Sequence, residues 1–97
     1  MYASVVTTQI ESGAFDEAVK IYKDSIVPAV QGQPGFKGAT FLVNAAAKIG
    51  VSTIFWESEA RMLAGEASSH IRNEFAKLGS IISVPPANTH YEVRVQV

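Results

Sequence analysis

Cysteine is absent from this chain of 97 residues, which excludes disulfide staples, thiolate nucleophiles and thiolate metal sites. A surplus of charge is also missing. Eight basic residues face nine acidic ones, for a net charge of -1. That leaves no electrostatic footprint for a polyphosphate, and nucleic acid is not expected as a partner. No window approaches the roughly 20 apolar residues of a membrane span. Residues 1–10 lack the basic start and continuous apolar stretch of a secretion signal. The expectation is a cytoplasmic protein without a membrane partner. The two histidines, His70 and His90, show no ligand spacing to each other or to nearby acids, so no metal site is expected.

Apolar groups are plentiful. Hydrophobic residues make up 47% of the chain and charged ones 18%, more apolar surface than a small solvated monomer needs. A chain this short buries only roughly two thirds of its unfolded surface, so association would add useful burial. No linker, repeat or low-complexity tract divides residues 1–97, and one domain is expected.

Residues 2–10, rich in Val and Thr, read as a first strand closed by Glu11, Ser12 and Gly13. Ser12 is positioned to cap the following helix, and Asp16 and Glu17 suit its first turn. Phe15, Ala18, Val19, Tyr22, Ile26 and Val30 recur at helical spacing. Pro28 lies inside that stripe and predicts a kink or a loosened last turn, because it cannot bond the Asp24 carbonyl. After the break at residues 31–35, residues 36–44 and 51–57 read as a hairpin of strands two and three. Ser58 can cap a second helical region in which Leu63, Ala67, Ile71, Phe75 and Leu78 share a face. Gly65 and the Ser68 and Ser69 pair are positioned to split that region in two. Past Pro85 and Pro86, the alternation of Tyr91, Val93, Val95 and Val97 with Glu92, Arg94 and Gln96 marks a final strand.

This order is α+β and ferredoxin-like, β-α-β-β-α-β. Right-handed crossovers put the helices on one face of a four-stranded antiparallel sheet. Both strand faces carry apolar residues. Val51 and Phe55 oppose Ile54 and Trp56, and Phe36 and Leu42 oppose Phe41 and Val43. A bare second face would expose a large apolar patch, and a second copy of the same sheet is the simplest cover. A homodimer through the sheet face is expected.

Three landmarks sit in that order: Pro28-Ala29, then Gln33-Pro34-Gly35-Phe36 leading into strand two, then Trp56-Glu57-Ser58-Glu59-Ala60. With them the chain resembles the antibiotic biosynthesis monooxygenase domain, from Val5 to Val95. The resemblance implies a dimeric α/β barrel. It also implies a cofactor-independent monooxygenase of a small hydrophobic, aromatic or quinone-like molecule, or a non-catalytic dimeric ligand-binding or regulatory module of the same fold. In the first reading no cofactor is needed. The protein removes a proton from an acidic phenol or anthrone-like substrate, and the carbanion reduces dioxygen directly.

The candidate base is His70, at the edge of the second apolar stripe, with Trp56, Tyr22 and Arg72 as polar contacts in the substrate pocket. Each has a plainer reading, as a core aromatic or a solvated surface group. The chain departs from the aromatic-oxidising members at Ser52, Ile54 and Met62. The haem-degrading members, which the chain also resembles, share only His70 with it. Gly35-Phe36-Lys37-Gly38 matches the GxxG loop of KH domains, but it opens a strand and is better read as a turn.

Overall fold

The computed structural model describes residues 1–97. Its elements are β1 (Tyr2–Gln9), α1 (Phe15–Ile21), α2 (Val27–Gln31), β2 (Phe36–Asn44), β3 (Ile49–Trp56), α3 (Glu59–Ala67), α4 (Ser69–Ala76) and β4 (Ala87–Glu92). A π-helical turn, Tyr22–Ile26, joins α1 to α2, and a 3₁₀ turn, Lys77–Ser80, follows α4. The expected element order is present, with each helical region in two pieces. No helix is long and apolar enough to cross a membrane.

Pro28 has no N–H to return to the Asp24 carbonyl. The helix widens just before it, and the Val27 N–H bonds back to the Tyr22 carbonyl. The expected disturbance at Pro28 is therefore a π turn instead of a frayed end. Ala18, Tyr22, Ile26, Ala29 and Val30 are buried along this run, whereas Val19 is exposed. Ser12 does not cap α1. Ala14 occupies that position without a side-chain bond, because the turn after β1 takes two more residues than the sequence suggests.

The second helical region breaks at Ser68, which has extended backbone angles. Its hydroxyl accepts from the Ile71 N–H at 3.4 Å and starts α4, as Ser58 accepts from the Arg61 N–H at 3.2 Å to start α3. The break resets the helical phase, so the expected single stripe does not form. Met62 and Gly65 face inward from α3, Leu63 is exposed, and Ile71 restarts the buried face on α4.

The sheet is fully antiparallel in the order β2-β3-β1-β4. A bulge at Lys37 shifts the β2 register, so Phe36 pairs with Trp56 while Gly38 pairs with Phe55. This corrects the sequence reading of β2: Phe36 joins Phe41 and Val43 on the helix side, leaving Leu42 opposite. Phe36 then meets the Trp56 ring edge-on, with centroids 6.4 Å apart, and Phe41 stacks on Tyr22 at 4.8 Å.

Pairing and alternation define the helix-free face as rows running β2 to β4. These are Gly38–Phe55–Ala3–Tyr91, Thr40–Thr53–Val5–Thr89 and Leu42–Val51–Thr7–Ala87, followed by a shorter row, Asn44–Ile49–Gln9. No charged residue stands in any of them. Leu42 and Tyr91 are 58% and 54% exposed.

β4 differs from its sequence reading. It starts directly after Pro86 and stops at Glu92, because its partner β1 begins at Tyr2. The Val93 N–H bonds the Met1 carbonyl at 2.9 Å. Residues 93–97 keep the alternation with no strand beside them.

Candidate functional site

On the inner face, the register places His90, Ser4, Ile54 and Ala39 in one row and Asn88, Val6, Ser52 and Phe41 in the next. The α3–α4 corner crosses above them. Between corner and sheet lies a half-open cavity of about 340 Å³, lined by Ser4, Val6, Ile54, Trp56, Gly65, Glu66, Ile71, Arg72, Phe75, Pro86 and Asn88. A smaller one of about 60 Å³ shares Val6, Phe75 and Pro86 and adds Thr8, Phe41, Ser52, Leu78 and Ile82. The larger cavity owes its shape to three local features. Gly65 lets α3 approach until its backbone lies on the Trp56 ring, where a Cβ would overlap ring carbons. Ser68 turns the chain between the helices, and Pro86, just before β4, forms part of the rim.

Trp56 is 1% exposed and lines the cavity, and its Nε1 has no hydrogen-bond partner. A buried indole N–H left unpaired costs about 1–3 kcal/mol. The orphaned Nε1 is itself sealed from solvent within the cavity wall.

At the polar end stands Glu66. Its Oε2 accepts from Ser4 Oγ at 2.8 Å, Asn88 Nδ2 at 2.9 Å and His90 Nε2 at 2.9 Å, while Oε1 meets only His90 Nε2, at 2.7 Å. Partial burial by itself raises the Glu66 carboxyl pKa. The hydrogen bonds from Asn88, Ser4 and His90, with the charge of His90, outweigh it and hold the group below its ordinary value. Glu66 is therefore an ionised acceptor at neutral pH, and its contacts assign a proton to His90 Nε2. Arg72 Nε donates to the Glu66 main-chain carbonyl at 2.8 Å, pinning α4 to the end of α3. Glu66 and His90 are metal-type donors, but no third carboxylate or imidazole joins them.

Of the residues singled out from the sequence, Trp56 and Arg72 stand together on the cavity wall. Tyr22 is buried below the smaller cavity without lining either one. Its hydroxyl lies 2.8 Å from Ser52 Oγ and 3.3 Å from the Thr40 carbonyl, and burial pushes its pKa up. His70 is on the outward side of α4. Its side chain is 65% exposed, with Nδ1 3.9 Å from Glu74 Oε1, because the break at Ser68 turns Ile71 inward and its neighbour out. His90 lines neither cavity, but its Nε2 holds Glu66, which lines the larger one. Glu66, Ser4, Asn88 and His90 were not singled out, and only the alternation of Asn88 and His90 just past Pro86 hinted at a shared face.

No protein-family model and no curated protein matches this sequence. Solved structures do. A monooxygenase of Streptomyces coelicolor, from the gene ActVA-Orf6 and bound to nanaomycin D, superposes with a TM-score of 0.82 at 21% identity, over 99% of this chain and 89% of that one. SnoaB of Streptomyces nogalater, a cofactor-independent oxygenase, gives 0.80 at 13% identity, over 99% and 95%. This chain has the antibiotic biosynthesis monooxygenase fold. A Nitrosomonas europaea protein assigned to that group gives 0.80 at 12% identity, over 98% and 100%. The expected ferredoxin-like α+β class is confirmed, and identities this low carry the fold alone.

Proposed function

We propose that this chain is a cofactor-independent monooxygenase of a small hydrophobic, aromatic or quinone-like molecule, working as a homodimer through the helix-free sheet face. The observation that carries the proposal is the largely apolar cavity walled by the Trp56 ring, with the ionised Glu66 at its polar end. A flat ring system fits such a wall, and a bound ring that displaces its water favours transfer of an electron from a substrate carbanion to dioxygen. That two neighbours of the same fold are oxygenases supports the reading. Arg72 and Trp56 are the polar contacts proposed for the substrate, and Tyr22 supports the sheet below it through Ser52.

The test is oxygen uptake with anthrone in the absence of metal and flavin. Uptake is expected with the wild type and is expected to be undiminished in His70→Ala, since that imidazole stands outside the cavity. A drop of about tenfold or more in His70→Ala, the low end of general-base contributions, would instead return His70 to the mechanism. One observation favours a second reading, a non-catalytic dimeric ligand-binding module: the Ser4 hydroxyl, one Asn88 N–H and His90 Nε2 are all engaged on Glu66. Binding of anthrone without any uptake would select it.

The dimer is expected from four uncharged rows that leave Phe55, Leu42 and Tyr91 without cover. Light scattering at micromolar concentration should give twice the protomer mass, and Val51→Glu, in the centre of the face, should give the protomer with its circular dichroism intact. A wild-type protomer at that concentration overturns this part of the proposal.

A further inference from the structure

We infer that Glu66 is a specificity-determining residue, a charge filter that admits apolar ligands ending in a neutral or cationic hydrogen-bond donor and turns away the same framework carrying a negative charge. This deepens the proposed use of the cavity and rests on it. A carboxylate offers about four acceptor positions. Three donors crowd Oε2, but Oε1 has a single contact, so one acceptor position remains at the cavity's polar end. The Ser4 hydroxyl and one Asn88 N–H are already engaged on Glu66, so an incoming anion meets the carboxylate with few free donors beside it.

Arg72 is the opposing consideration, since it also lines the wall. Its Nε is committed to a main-chain carbonyl and its side chain is exposed, so water and salt screen its charge. The Glu66 side chain is only 26% exposed and faces a largely apolar wall, so its charge is screened less.

The experiment pairs 2-naphthol with 2-naphthoate, one ring system with two end groups. Affinity is measured by calorimetry at neutral pH. Occupancy of the cavity is read from the indole N–H resonance, which Trp56 alone supplies. The naphthol should bind at least about tenfold tighter than the naphthoate, with the indole signal moving, and Glu66→Gln should bring the two affinities together. Equal affinities in the wild type, or tighter binding of the naphthoate, with the indole signal moving, overturn the filter and leave the cavity reading standing. Failure of both probes to move the indole signal overturns the two together. If Glu66→Gln does not fold by circular dichroism, the wild-type ratio decides.

Discussion

Replacing Trp56 with alanine is expected to lower the unfolding free energy by about 3 kcal/mol, toward the lower end of the usual cost of removing a buried Trp ring. The ring is the largest fully buried side chain and joins β3, α3 and Phe36, which argues for a large loss. Two features hold it down. The space left behind opens into an existing cavity that water can enter, and the orphaned Nε1 no longer carries its desolvation cost of about 1–3 kcal/mol. For a domain of this size the melting temperature should fall by roughly 12–24 °C, compared at one protomer concentration because the proposed association would add to stability. Trp56→Phe separates the terms. It removes the unpaired N–H and keeps most of the apolar bulk, so its stability should stay within about 1 kcal/mol of wild type while 2-naphthol affinity drops. A Phe variant as unstable as the Ala variant would show that the N–H was never an uncompensated cost.

Gly65→Val should destabilise the fold by about 2 kcal/mol and abolish ligand binding. Removing a helical glycine recovers a few tenths of a kcal/mol of propensity. Against this, the new side chain overlaps the Trp56 ring, and overpacking of a filled core costs about 1–3 kcal/mol. The open side of that ring is the cavity, so the indole has one direction in which to yield and closes the site by doing so. Urea unfolding with an unchanged slope and a lower midpoint checks the first effect. Calorimetry with 2-naphthol checks the second, and an unchanged midpoint together with unchanged affinity would refute the account.

Much of the scaffold was legible because its signals are local. Strand β2 runs from Phe36 to Asn44 as its β-branched and aromatic run indicates, Pro28 disturbs its helix, and Ser58 and Ser68 start theirs. What escaped was phase. A single extra residue at Lys37 moves Phe36 across the sheet, and a single non-helical residue at Ser68 turns His70 outward. Periodicity read through such points carries the wrong face forward. In the site, Trp56 and Arg72 were recognisable from residue type and place. The Glu66–His90 pair was not, because its two members lie 24 residues apart and meet only through the pairing of β1 with β4. Strand β4 itself was read too late in the chain, since the valines of residues 93–97 give a cleaner alternation than the polar stretch that pairs.

The threonine row across the helix-free face, Thr40, Thr53 and Thr89 about Val5, bears on how two protomers would meet. Methyl groups from β-branched side chains let that band pack dry, while the hydroxyls keep it wettable until then. In the proposed dimer, a newly folded protomer would stay dissolved long enough to search for its twin. Assembly would then be a second-order phase that follows refolding, its half-time shortening in proportion to concentration.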